Sequence, residues 1–140
     1  MSSLANAIKL ATMGFRIFPL GINSKLPILE DYPNVATTDK DTIKKWWVKP
    51  YNVGISTENL IVVDVDNKKG KNGSETLLQL ELEGRDFPKT FTQKTVNGGE
   101  HLIYKCASPV KQGVDVLGKG LDIRSKGGYI VGPGRVIDGK

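Results

Sequence analysis

Apolar residues recur at helical spacing from Leu4 to Met13, with Leu4, Ile8 and Ala11 on one side and Gly14 as a C-cap. Phe15 to Pro19 then reads as a strand, and Gly21 to Pro33 as a loop carrying Lys25 and two prolines. The pattern predicts a second helix over Asp39 to Val48, with Thr38 as N-cap and Asp41 in the capping-box position. Ile43, Trp46 and Trp47 form its inward stripe, and Pro50 closes it. Asn52 to Thr57 and Leu60 to Asp66 are two predicted strands joined by a tight turn at Glu58-Asn59. After a basic, glycine-rich loop (Asn67 to Gly73), Ser74 caps a third helix that turns Leu77, Leu78 and Leu80 inward and ends at Gly84. Phe91 to Val96 and Glu100 to Cys106 flank Asn97-Gly98-Gly99, a hairpin signal. Leu121 to Ser125 and Tyr129 to Val131 form another predicted hairpin around Lys126-Gly127-Gly128.

Helices alternate with strands early, and hairpins dominate late. The expected fold is therefore α+β (mixed α/β), with a central, mostly antiparallel sheet flanked by helices. A length of 140 residues is that of one domain, here 1–140. The end of the chain, after a Gly-Pro-Gly turn, lacks tail-like composition, so the domain reads as a module of a longer protein. The first residues carry no secretion signal, and the longest aliphatic run, Leu60 to Val63, is too short to span a bilayer. A cytoplasmic protein without a membrane partner is expected.

Composition narrows the chemistry. One cysteine, Cys106, and one histidine, His101, exclude a disulfide framework and an all-protein Cys/His zinc site. A lone histidine also excludes the His-hydrophobe-His metal pair of rolling-circle nucleases. No G-x-x-x-x-G-K-[ST] loop is present, which excludes a P-loop ATPase. The net charge of +5 is compatible with a polyanionic partner but does not demand one.

Leu60-Ile61-Val62-Val63-Asp64-Val65-Asp66 is the most informative stretch. Four aliphatic residues before the first acid indicate a central strand covered on both faces. Asp64 and Asp66, at i and i+2, project from one face roughly 6–7 Å apart. Like charges that close repel unless a cation lies between them, and oxygen-only donors suit Mg²⁺ or Mn²⁺. Taken alone, the pair more often marks the point where a strand leaves the core than a metal site. Asp122, between Leu121 and Ile123, is either a third ligand or the partner of Arg124 or Lys126. His101 follows the Asn97-Gly98-Gly99-Glu100 turn. If Asn97-Gly98 makes a two-residue turn, Lys94 faces His101 and the two form a cationic patch suited to a triphosphate; if Gly98-Gly99 turns, the pairing fails.

In order along the chain, these pieces resemble the phage and plasmid primase-polymerase branch of the archaeo-eukaryotic primase superfamily. That family's pattern is a hydrophobic strand ending in Asp-x-Asp, then a small-x-His motif, then a hydrophobe-Asp motif. The matching segments are Leu60 to Asp66, Gly99-Glu100-His101 and Leu121-Asp122. Gly54-Ile55-Ser56-Thr57 resembles the lead-in strand, Asp122 to Gly134 a later block, and Lys25-Leu26-Pro27 an early Lys-x-Pro element. Gly99 departs from the serine that often opens the second motif.

The resemblance implies an archaeo-eukaryotic primase-like fold and a DNA primase and/or polymerase acting by two-metal nucleotidyl transfer in replication of a phage, plasmid or other mobile element. Asp64, Asp66 and Asp122 would be catalytic and hold Mg²⁺ or Mn²⁺, and His101 would meet the nucleotide's phosphates. Arg124, Ser125, Lys126, Lys94 and Lys25 are further candidates for nucleotide contacts. The implied partners are a single-stranded DNA template and nucleoside triphosphates, NTP or dNTP, with room for a fused or associated helicase. The alternative is an inactive nucleic-acid-binding module of a replication initiator. A nuclease using the same acids ranks last, and an RRM-type RNA binder lacks its paired-aromatic strand.

Overall fold

The computed structural model describes residues 2–67, 71–85, 90–95, 98–105, 112–125 and 127–134. It has the expected α+β character, and the chain divides into two compact units, 1–56 with 129–140 and 57–128.

The first unit carries a three-stranded antiparallel sheet. Its elements are α1 (Ser3–Thr12), β1 (Ile17–Leu20), the short α2 (Tyr32–Val35), α3 (Lys40–Trp46), β2 (Asn52–Ser56) and β8 (Tyr129–Val131). The strand order is β1-β2-β8, and β1 is therefore an edge, where Pro19 is tolerated despite lacking an N–H. Ser2 caps α1 by accepting from Ala5 N–H. Ala7, Leu10 and Ala11 of that helix are buried, as are Ile17, Phe18 and Leu20 of β1. Asp39 replaces the expected Thr38 as cap of α3, because its carboxylate reaches Thr42 N–H at 3.1 Å. Phe18 stacks on Tyr32 with ring centres 4.9 Å apart, and Tyr129 meets Phe18 edge-on.

The second unit is built on a five-stranded antiparallel sheet. Here lie β3 (Leu60–Val65), α4 (Gly73–Leu82), β4 (Phe91–Lys94), β5 (Glu100–Lys105), β6 (Gly113–Gly118) and β7 (Leu121–Arg124). The order β4-β5-β3-β7-β6 makes β3 the central strand, as its aliphatic run predicts. Val63 and Val65 of β3 and Leu121 and Ile123 of β7 form a core on one face, covered in part by Leu77 and Leu80 of α4. Asn72, not Ser74, caps α4, accepting from Glu75 N–H at 3.1 Å. Leu78 is 54% exposed instead of inward, because the helix buries only the side bearing Leu77 and Leu80. β6 is an element that apolar patterning did not predict.

Two predicted strand pairings are overturned. β2 and β3 do not pair across Glu58-Asn59: β2 lies between β1 and β8, and β3 between β5 and β7. Nor do β7 and β8 form a hairpin, since β8 pairs with β2. The two connections bond to each other instead of closing hairpins. Thr57 N–H donates to Gly128 O at 3.0 Å, Thr57 Oγ1 to Ser125 O at 2.6 Å, and Gly127 N–H to Glu58 Oε2 at 2.6 Å. Reversal of the chain is a local property, whereas the choice of partner strand depends on burying distant residues. No helix among the described residues is long and apolar enough to cross a membrane.

Candidate active site

Strand register gathers the candidate residues. Asp64 lies directly opposite His101 on β5 and directly opposite Asp122 on β7. Side chains at paired positions share a face, so Asp64, His101 and Asp122 stand together on the face opposite the Val63–Leu121 core. Arg124, two residues beyond Asp122, belongs to the same face. Asp66 follows the end of β3 and continues the alternation. Its backbone is fixed there by two bonds, N–H to Gly120 O at 2.7 Å and O from Gly73 N–H at 2.8 Å.

Asp64 is the hub. Its Oδ1 lies 3.5 Å from His101 Nε2, and its Oδ2 accepts from Arg124 Nε at 3.3 Å. Its side chain is only 16% exposed. Burial is the strongest single influence and acts to raise its pKa. The hydrogen bond and charge from His101, and then the charge and hydrogen bond from Arg124, together outweigh it and hold the carboxyl below its ordinary value.

His101 is held from behind by Gln93, directly opposite on β4, whose Nε2 is 2.8 Å from His101 Nδ1. This contact fixes the orientation of the ring, whose Nε2 faces Asp64. Gln93, not Lys94, is thus the cross-strand neighbour of His101. Asn97, on which the two-residue turn would hinge, lies outside the described residues. Thr95 pairs with Gly99 through N–H to O at 2.9 Å, and Gly98 (φ 80°) donates to Thr95 O at 3.3 Å. The β4–β5 register sets Lys94 opposite Glu100, on the other face from His101.

Asp122 Oδ1 accepts from the Asp115 N–H at 2.8 Å. Asp115 in turn pairs with Lys71, Nζ to Oδ1 at 3.2 Å. That hydrogen bond is the largest influence raising the Lys71 pKa, and burial opposes it; the charges of Asp115, Asp122 and Asp66 add to the rise. Lys71 therefore sits in the field of the acids, although sequence reading singled out other lysines. Its only signal was membership of the basic loop before α4. Asp115 and Gln93 gave no signal, because only the register of β6 and β4 brings them in.

Other expectations fare unevenly. Ser125 is 0% exposed, and its hydroxyl donates to Leu60 O at 2.6 Å, so it ties β7 to β3 and is not presented to a phosphate. Lys126 lies outside the described residues, as do Val96, Asn97 and Cys106. Lys25 belongs to the first unit, where its carbonyl accepts from Tyr129 Oη at 2.9 Å. Gly99 has a steric reason for departing from serine: a Cβ there would land on the Val65 carbonyl.

The family described as "Bifunctional DNA primase/polymerase, N-terminal" matches residues 7–140. The chain belongs to this family. Compared directly with curated proteins, it has no match. Primase-polymerase membership points to a nucleotidyltransferase with DNA and nucleotides as substrates, in a family that generally uses divalent metals.

The primase-polymerase face of this chain offers the right donor type for such an ion, three carboxylates and no soft ligand. The side chains do not converge, however. Asp64 is turned to His101 and Arg124, and Asp122 to the Asp115 amide. Among the described residues, no three His, Cys, Asp or Glu side chains surround a common point. The fit is one of donor type and register, and it requires Asp64 to turn from His101 and Arg124 to become a cage.

Proposed function

We propose that the chain catalyses template-directed nucleotidyl transfer, as a DNA primase, a DNA polymerase or both, in replication of a phage, plasmid or other mobile element. The observation that carries this reading is the register of β3, which puts Asp64 opposite both His101 and Asp122. Asp64, Asp66 and Asp122 are the metal ligands in this reading. These carboxylates would hold a divalent ion, which would supply charge neutralisation for the attacking 3′-hydroxyl and the leaving pyrophosphate. His101, whose Nε2 faces Asp64, and Arg124, whose side chain is 46% exposed, receive the triphosphate. Both then leave Asp64 free to turn toward the ion. Lys25 is a further candidate for the triphosphate or template. The family description, which specifies an N-terminal part, supports taking 1–140 as the catalytic portion of a longer replication protein.

The test is incorporation of labelled nucleotide on single-stranded template with Mg²⁺ or Mn²⁺. Incorporation is expected for the wild type and absent for Asp64→Ala; equal behaviour of the two would refute the reading.

A second reading has its own observation. With Asp64 engaged by Arg124 and His101, the face resembles a satisfied ion-pair network of a module that binds nucleic acid without catalysis. Titration calorimetry separates the two. Metal-assisted nucleotide binding lost in Asp66→Ala supports the enzyme, whereas salt-sensitive DNA binding indifferent to that change supports the module.

A further inference from the structure

The bulge in β6 holds a residue that the proposed reaction does not use. The register of β6 against β7 slips between Gly113 and Gly118, and Asp115 lies inside the slip. Its φ is 52°, a left-handed conformation shared by only one other non-glycine among the described residues, Asn23. Aspartate tolerates this region because its short side chain can bond locally. Here Asp115 Oδ1 accepts from Gly120 N–H at 2.8 Å and from Lys71 Nζ at 3.2 Å. The side chain is thereby anchored at the far end of the bulge, and the backbone N–H is aimed at Asp122 Oδ1, 2.8 Å away.

That last bond matters because of where Asp122 stands. A bulge re-aims groups that a regular ladder would turn elsewhere. A backbone donor on one carboxylate oxygen restricts rotation of the whole group and so directs the other oxygen. Asp122 is the cross-strand neighbour of Asp64, so its rotation decides whether the two carboxylates can share a cation. The geometry points to Asp115 as a positioning residue that sets the Asp122 carboxylate for a divalent ion. It acts through its backbone N–H, with its own side chain holding the bulge. This role rests on the metal-centre reading above.

The test uses the full 140-residue chain and Mn²⁺ alone, with affinity read by titration calorimetry on wild type, Asp115→Ala, Asp115→Asn and Asp122→Ala. Asp115→Ala removes the acceptor and disfavours the left-handed backbone; its Mn²⁺ affinity should fall about tenfold, the usual scale for a group that orients a ligand. Asp115→Asn keeps an acceptor for Gly120 N–H and tolerates the same conformation, so it should recover most of that loss. Amide spectra of the metal-free protein add an independent reading, also free of any folding defect in Asp115→Ala. The Asp115 amide proton should move upfield in Asp122→Ala, which takes away its charged acceptor. Wild-type Mn²⁺ affinity in Asp115→Ala, with binding lost in Asp122→Ala, overturns the positioning role and leaves the metal centre standing. An Asn variant as weak as the Ala variant, or an unmoved Asp115 amide, overturns it too. Wild-type affinity in Asp122→Ala overturns the metal-centre reading and this role with it.

Discussion

Every residue of β1 and β2 in the first unit is buried, whereas β3 and β7 of the second unit carry partly exposed positions, Asp64 and Asp122 among them. The first pattern leaves no place for an ionised side chain, since burying a charge without a partner is costly. The second packs one face of its sheet as core and, on the other, buries Val62 and Ile103 while leaving the acid-bearing end partly exposed. Val63, Val65, Leu121 and Ile123 point one way, and Asp64, Asp122 and Arg124 the other. Stability and chemistry are thus divided partly by the pleat and partly by position along β3, since Val62 is buried on the face that carries Asp64. A strand with an aliphatic half and an acidic half is anchored by the first and free to react with the second.

The sharpest way to break this contrast is to compare one residue from each unit. Asp64→Ala should lower nucleotide incorporation on the order of a thousandfold, the scale for removing a preorganised charge from a reacting centre. Its urea midpoint should change little. Phe18→Ala, at a fully buried position of β1, should cost about 3–5 kcal/mol of folding stability, read by the same urea titration. A stability loss in the first variant matching the second would erase the division of labour.

Smaller changes test the second unit's own scaffold. Gly99→Ser restores the residue type seen in related motifs but drives a Cβ into the Val65 carbonyl, so it should destabilise by about 1–3 kcal/mol without raising activity. Ser125→Ala removes the bond to Leu60 O between buried residues and should cost about 1–3 kcal/mol in the urea midpoint. The KM for nucleotide should stay as in the wild type, since the hydroxyl faces the fold's interior. A KM increase without a stability loss would return Ser125 to the list of phosphate contacts.

The smallest expected effect belongs to the first unit. The hydroxyl of Thr42, then its amide, bond the Asp39 carboxylate and hold its pKa below the ordinary value; burial opposes them weakly and Lys45 adds to the lowering. A depressed acid contributes stability that is present above its unfolded pKa of about 3.9 and is lost as pH falls through the lower folded value. Asp39→Asn should remove that slope from an acid stability titration while leaving stability at pH 7 nearly unchanged, because asparagine also caps helices. An unaltered slope would show that the cap does not couple to folding.

Local pattern alone determined much of this protein. The period of apolar residues marks α1 and the run through Leu60 to Val65, because side-chain direction follows from backbone repeat. The same repeat puts Asp64 and Asp66 on one face, and Asn-Gly-Gly announces the β4–β5 hairpin. The family motifs are legible for the same reason, being short and contiguous. Partner choice was not legible. β2 lies away from β3, β7 away from β8, and the β4–β5 register puts Gln93 instead of Lys94 beside His101. A one-residue change of register moves every side chain to the opposite face, and nothing within a strand reports its register. Asp115 and Lys71 were hidden for a related reason. Their roles depend on a bulge and on loop ends that meet only after β3 has been enclosed between β5 and β7. The sequence by itself determined that two carboxylates and a histidine end up on strands, with Asp66 just past the end of one. Only the tertiary structure decided that Asp64 is their hub, because cross-strand neighbours arise from burial of distant residues and not from spacing along the chain.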